Sequence, residues 1–289
     1  MFKFSFNVDQ TDNNFLAGED LKQNSTDVEL PCEKESVEIV CSEEHLQKME
    51  LYREHSDIVV LNSFSILHLK GTSLQELSTP CNESSIGKAE TSHSDLIPGV
   101  YEGGAKIWEC TGDLISYLDK CSAALFEGKR VLDVGCGAGL LGVYALLSSA
   151  SIVHFQDYNE EVLRDFTVPT VLLNSHGSVE TLMKKCQFFS GDWNVYREKT
   201  KSQAKFDIIL TAETIYNTVN YPKLIRMIDE KLASNGVVFL AAKVYYFGVG
   251  GGLREFEKAL EDSQRYTYET VWKSDIGVSR EILRISQKN

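Results

Sequence analysis

Three carboxylates fall where short apolar runs give out. Val131-Leu132-Asp133-Val134 runs into Gly135-Cys136-Gly137-Ala138-Gly139, Phe155-Gln156 into Asp157, and Phe188-Phe189-Ser190-Gly191 into Asp192 and Trp193. A carboxylate at the end of a buried strand can accept a pair of ribose hydroxyls, take an adenine amino group or pair with a cation. The glycines remove side chains where backbone must turn tightly or approach a ligand. The indole after Asp192 can cover a flat ring. A fourth apolar run, Phe206 to Leu210, leads to Ala212, Glu213, Tyr216 and Asn217, which brings a carboxylate, a phenol and an amide close together in the chain.

Something must hold these strand ends on one edge. Arg130–Val134, Ser151–Gln156, Lys185–Phe189, Phe206–Leu210 and Val237–Ala242 read as strands, rich in branched and aromatic residues. Helical spacing predicts helices over Ile107–Lys120, from Leu140, over Glu160–Asn174 with Pro169 kinking or splitting it, over Pro222–Leu232 and from Leu253. Ser234-Asn235-Gly236 is read as the stop between the fourth of these and the fifth strand. Strands alternating with helices give a parallel sheet with right-handed crossovers. Tyr266–Lys273 and Glu281–Ser286 flank a turn at Asp275-Ile276-Gly277 and add an antiparallel hairpin. The expected fold is therefore α/β, a Rossmann-like seven-strand sheet, mostly parallel, over residues 93–289.

Residues 1–92 look different. Residues 1–90 carry 7 Lys/Arg against 17 Asp/Glu, which accounts for most of the chain's net charge of −13. We expect an acidic, largely irregular segment there with a few short strands: one at the alternating Phe2, Phe4, Phe6 and Val8, and a pair over residues 57–70 round Asn62-Ser63. Residues 9–50 are expected to lack a fold of their own, and 71–92 to form a linker. The acidic balance disfavours direct binding of nucleic acid. Seven cysteines without a C-x-x-C pair speak against a disulfide framework and against a zinc site, and no metal is expected. Val131 to Ala150 is long and apolar enough to mimic a membrane span, but Asp133 and its glycines argue for strand plus helix. The chain reads as a cytoplasmic protein, with the nucleus left open, without a membrane segment, and as a monomer.

Two ligands compete for the glycine loop. Gly137-Ala138-Gly139-Leu140-Leu141-Gly142 matches the dinucleotide fingerprint G-x-G-x-x-G, which would make the protein an oxidoreductase. Asp133 to Gly139 also matches D-x-G-x-G-x-G, the form typical of S-adenosylmethionine-dependent methyltransferases. A pyrophosphate wants an uncluttered helix N-terminus. A sulfonium and an ammonium want a carboxylate such as Asp133. One five-strand half followed by a hairpin fits the methyl donor, since a dinucleotide enzyme would repeat the half-sheet.

The stretch from His93 to Thr111, with Pro98-Gly99-Val100-Tyr101-Glu102-Gly103-Gly104 and Trp108-Glu109-Cys110-Thr111, resembles the lead-in of the protein-histidine methyltransferase family. The likeness continues through Asp133–Leu141, His154–Asn159, Phe188–Trp193, Thr211–Asn217 and Tyr246–Gly252. It covers most of residues 93–289 and is weak before them. The resemblance implies a seven-strand enzyme that uses S-adenosylmethionine and modifies a histidine of a large-subunit ribosomal protein. It implies donor contacts at Ile107, Trp108, Glu109, Cys110 and Thr111, at Gly135, at Gln156, Asp157 and Tyr158, at Gly191, Asp192 and Trp193, and at Ala212. Chemistry of the loop adds Asp133 and Gly137. Between the second and third strands this chain is short where the family can carry a basic insertion.

Methyl transfer to a ring nitrogen needs an aligned lone pair more than a strong base, because imidazole with its pKa of about 6.5 is mostly neutral at pH 7. A carboxylate that accepts the N–H of one nitrogen fixes the lone pair on the other. Glu213 is the candidate, since Glu213-x-x-Tyr216 stands where related protein methyltransferases carry D-x-x-Y. Tyr216 and Asn217 are expected to hold the ring or the substrate backbone. The loop from Tyr245 to Gly252 is expected to wall the target ring, and His154 to be structural. A protein-lysine methyltransferase on the same fold is the nearest alternative.

Overall fold

The structure, a computed structural model, describes residues 33–70 and 84–288. The alternating stretch at residues 2–8 lies outside them. Ten strands are described: β1 (Glu38–Ile39), β2 (Ser56–Val60), β3 (Ser65–Leu69), β4 (Arg130–Val134), β5 (Ile152–Asp157), β6 (Cys186–Ser190), β7 (Phe206–Ala212), β8 (Leu232–Lys243), β9 (Tyr266–Lys273) and β10 (Arg280–Gln287). Eight of them make one sheet in the order β1-β6-β5-β4-β7-β8-β10-β9. β4 pairs in parallel with β5 on one side and β7 on the other, with Val131 opposite both Val153 and Ile208. The chain leaves β4 for β5 and later returns to β7 on its far side. That reversal is the place where open α/β sheets form a crevice beyond the carboxyl ends of their strands. β10 inserts antiparallel between β8 and β9.

The sheet is buried on both faces, as its unbroken apolar strands require. Val131, Phe155, Phe188, Leu210 and Phe239 pack into one core layer, and Leu132, Phe189, Ile209 and Leu240 into the other. This is the period-two alternation of a strand. His154 belongs to the second side, fully buried against Phe189 and Phe206 with Nδ1 3.2 Å from the Tyr196 hydroxyl. Burial pulls its pKa down to about 3, so it is a neutral core residue. Among the described residues no helix is long and apolar enough to cross a membrane. The stretch Val131–Ala150 divides into β4, the glycine loop and the helix Leu140–Leu147.

Two elements differ from the sequence reading, and one divides as Pro169 implied. β8 begins at Leu232, so Ser234-Asn235-Gly236 is an irregularity inside a strand, with the register shifting between Phe206 and Ile208. The helix expected over Glu160–Asn174 splits into Glu160–Val162, a π turn at Leu163–Thr167, and Val168–Leu173. Pro169 lacks the N–H that would close an α turn onto Asp165, and the chain widens ahead of it. Third, the sheet extends into the segment set apart as residues 1–92. β1 adds antiparallel to β6, pairing Glu38 with Phe189. The β2–β3 hairpin docks through Ile66 and Leu69, both buried, and through Asn174, whose side-chain oxygen accepts the Leu67 N–H at 3.0 Å and whose amide N–H donates to the Leu67 carbonyl at 2.7 Å. A helix at Ser85–Thr91 stands where a linker was expected, with Ile86 and Ala89 buried. The acidic composition of this region hid the few apolar anchors that tie it to the main core.

Candidate functional site

The glycine loop is held from below and from both sides. Gly137 donates its N–H to Asp157 Oδ2 at 2.9 Å, and its carbonyl accepts the Thr167 hydroxyl at 2.6 Å. Thr167 reaches it from the π turn, so the widened helix has a use here. Gly137 sits at φ +51°, and a Cβ there would stand 2.8 Å from the Gly104 carbonyl oxygen. Asp133 is not in the cleft. Its carboxylate is fully buried behind the loop and accepts the Gly142 N–H at 2.8 Å, which anchors the helix Leu140–Leu147. Burial first, and then the charge of Asp157, lift its pKa to about 7. The expectation that Asp133 meets the donor's cations directly is therefore corrected: it positions the loop.

A cavity of about 240 Å³ opens over the ends of β4, β5, β6 and β7. Asp157 lines it. Burial lifts the Asp157 pKa to about 6, against the opposing hydrogen bonds from Asn159 and Gly137 N–H. Gln156 is buried beneath: its amide donates to the Gly191 carbonyl and accepts the Trp193 indole N–H, both at 2.9 Å. It orients the adjacent loop and indole without reaching the cavity. Gly191 and Trp193 line the wall. Asp192 caps the next helix through the Asn194 N–H and pairs with Lys223 Nζ at 2.6 Å, so its carboxylate already has two partners. Tyr158 also lines the cavity, its hydroxyl on the Gly99 carbonyl at 3.0 Å and Lys34 4.6 Å from its ring.

The lead-in before the helix Glu109–Leu118 forms the other wall. Ile107, Trp108 and Thr111 line the cavity. Trp108 donates its indole N–H to the Gly103 carbonyl at 3.0 Å. Glu109 and Cys110 do not line it. Glu109 pairs with Lys243 at 3.2 Å, and Cys110 is buried under the helix.

Ala212 and Glu213 end the β7 side. Glu213 has φ +60°, a left-handed conformation that costs a residue with a side chain on the order of 1–3 kcal/mol and tends to collect at functional sites. It is 8% exposed, and neither carboxylate oxygen has a hydrogen-bond partner among the described residues. Lys243 Nζ stands 3.6 Å away, within ion-pair range but too long for a hydrogen bond. Burial and then the charge of Glu213 push the Tyr246 phenol and the Cys110 thiol up. Tyr216 donates its hydroxyl to Glu102, and burial plus that carboxylate push its phenol well up. Asn217 lines the cavity but spends its side-chain oxygen on the Val219 N–H.

Of the residues singled out from sequence, the cavity thus gathers Ile107, Trp108, Thr111, Gly135, Gly137, Asp157, Tyr158, Gly191, Asp192, Trp193, Ala212, Glu213, Tyr216 and Asn217. The Tyr245–Gly252 loop is placed otherwise. Gly252 N–H bonds the Tyr221 hydroxyl at 2.8 Å, and a Cβ on Gly251 would meet the Ile215 carbonyl at 2.7 Å. The loop clamps the turn after Glu213, with Tyr246 turned inward. Sequence reasoning missed Glu33, Lys34, Glu102, Thr214, Lys223 and the buried Lys243. The signal for Lys243 was a lysine ending an otherwise apolar strand, Leu240-Ala241-Ala242-Lys243.

The donor set suits S-adenosylmethionine. An indole, a strand-end carboxylate and a loop whose glycines leave no room for a Cβ line one cavity, with the buried carboxylate of Glu213 in its wall. A family model described as lysine methyltransferase matches residues 99–247. A Dictyostelium discoideum protein named histidine protein methyltransferase 1 homolog is 48% identical over 197 residues, covering 68% of this chain and 61% of its own length. A Bos taurus protein of the same name is 40% identical over 282 residues, covering 90% of this chain and 74% of its own. The match therefore spans less than two thirds of the Dictyostelium relative and more than two thirds of the bovine one. In fold, the chain is similar to SMU.776, solved in complex with SAH, with a TM-score of 0.53 at 16% identity, over 81% of this chain and 56% of that one.

Proposed function

We propose that this chain, which belongs to the histidine protein methyltransferase family, transfers the methyl group of S-adenosylmethionine to a ring nitrogen of a protein histidine. When bound, the donor supplies an electrophilic methyl group on a sulfonium. Trp193 and Asp157 would hold its nucleoside end, with Gln156 fixing the indole. Thr111 and the loop at Gly135 and Gly137 would hold the remainder. The observation that carries the reading is Glu213, a buried carboxylate in a strained conformation with both oxygens lacking hydrogen bonds at the cavity wall.

Glu213 accepts the N–H of one imidazole nitrogen, which leaves the lone pair on the other. As that nitrogen is alkylated the ring becomes a cation, and the Glu213 charge stabilises it. Positioning of this kind supplies much of the rate. Tyr216, bonded to Glu102, holds the turn that carries Glu213. The finer proposal is that the substrate is a large-subunit ribosomal protein, met in the cytoplasm by a monomeric enzyme. A net charge of −13 supports the choice of substrate, since it favours encounter with a basic protein.

The test is Glu213→Gln, with donor binding followed by calorimetry and turnover on ribosomal protein. Donor affinity should stay within a fewfold, while turnover falls on the order of a hundredfold or more. Equal loss of both would make Glu213 a donor-binding residue and remove its assigned role.

A further inference from the structure

We propose that Lys243 sets the choice of acceptor: its own ammonium fills the cationic position beside Glu213, so the site admits a neutral imidazole and refuses a lysine ammonium. This rests on the histidine reading above and deepens it.

Lys243 ends β8 and is 7% exposed. Its Nζ lies 3.2 Å from Glu109 and 3.6 Å from Glu213. It also lies 5.3 Å from the centre of the Trp108 ring and 5.8 Å from that of Tyr246. Carboxylates and aromatic faces around one point are the chemistry that recognises an ammonium. Here that place is taken by a residue of the chain itself. The other groups around it do not alter the balance. Cys110 and Tyr246 are pushed up and stay neutral at physiological pH. Arg280, opposite Lys243 in the register of β8 and β10, is held by Asp113 at 2.5 Å.

A second ammonium brought to Glu213 would therefore face a like charge at close range in a partly buried site, where repulsion is stronger than in water. A neutral imidazole meets no such opposition on entry, and the charge it gains on alkylation is spread over the ring and faces the Glu213 carboxylate as well as Lys243. Lys243 also disfavours the protonated ring, which keeps the lone pair available. A specificity device of this kind works by penalising the wrong ligand rather than by adding contacts to the right one.

The experiment compares the full-length wild type, Lys243→Met and Lys243→Arg on a large-subunit ribosomal protein fraction with labelled donor. Reactions are run at pH 7 and pH 9, methylhistidine and methyllysine are counted after acid hydrolysis of the product, and donor binding is measured alongside. Wild type and Lys243→Arg should give methylhistidine alone. Lys243→Met should give methyllysine at least about tenfold above the assay background, more at pH 9, where a larger fraction of an amine with a pKa of about 10.4 is neutral. A Lys243→Met enzyme that binds donor and makes no methyllysine, or a Lys243→Arg enzyme that makes as much as Lys243→Met, overturns the proposal while the histidine reading stands. Methyllysine from the wild type overturns both. A second measurement needs no variant: imidazole should inhibit the wild type competitively, and butylammonium at equal concentration should not. Equal inhibition by the two overturns the exclusion of cations.

Discussion

Donor affinity should fall as the solution is acidified, and the structure places the fall near pH 6. Asp157 lines the cavity, with one oxygen on Gly137 N–H and the other on Asn159 N–H. Its pKa is raised to about 6, chiefly by burial. As an acceptor for ribose hydroxyls it works best ionised. At pH 5 roughly one tenth of it remains ionised, so affinity should drop about tenfold from pH 7.5, on the order of 1.4 kcal/mol. Unfolding through this group does not mimic the effect. A carboxyl whose folded pKa is raised contributes stability that is fully present below its unfolded value of about 3.9 and lost as pH rises through about 6. The same sign holds for Asp133 with its pKa of about 7, so neither acid weakens the fold at pH 5. The assay is calorimetric titration with S-adenosylhomocysteine at pH 5 and 7.5. The Asp157→Asn variant should bind more weakly at pH 7.5 and lose the pH dependence. A wild type with the same affinity at both pH values, or an Asp157→Asn variant with the same slope, would refute the reasoning.

Other outcomes follow from single contacts. Thr167→Val removes the hydroxyl on the part-buried Gly137 carbonyl; it should cost about 1 kcal/mol of stability in a denaturant melt and loosen donor binding, and an unchanged midpoint would remove Thr167 as the loop's anchor. Trp193→Phe leaves the ring but strands the Gln156 oxygen, so donor affinity should fall roughly tenfold by calorimetry; no change would mean that the indole N–H does not fix the ring. At Gly191, φ +100°, a Cβ would stand 2.2 Å from the Glu35 carbonyl oxygen. Gly191→Ala should therefore displace the strand at Glu38–Ile39 and expose residues 33–39 to limited proteolysis, whereas wild-type protection in the variant would contradict that packing.

What could be read from sequence was what lies close in the chain. Strand runs ending in Asp157, Asp192 and Ala212 carry their own signature, because a buried parallel strand is apolar until it stops. What the carboxylates then bond to is set by residues far away in sequence. The resemblance puts Asp192 among the donor contacts, yet Lys223 reaches it from the helix Tyr221–Lys231. Asp133 was read as facing the donor, yet it bonds Gly142 on the far side of the loop. Gln156 was read as a contact and serves beneath the contact. Lys243 escaped because its one local mark, a charge ending an apolar strand, is shared by lysines that end a strand in solvent, and the cage of Trp108, Glu109 and Glu213 comes from other parts of the chain. The wall supplied by Glu33 and Lys34 escaped because acidic composition masked a two-residue strand whose pairing depends entirely on β6.

The direct test of the central claim is the chemical identity of the methylated residue. Ribosomal protein is incubated with the enzyme and donor labelled in the methyl group, hydrolysed in acid, and the labelled amino acid is identified. A buried Glu213 that fixes one tautomer of an imidazole predicts label in methylhistidine, at a single ring nitrogen, and on the order of a hundredfold less of it when Glu213→Gln is used. Label in methyllysine, or methylhistidine that persists undiminished in Glu213→Gln, would contradict it.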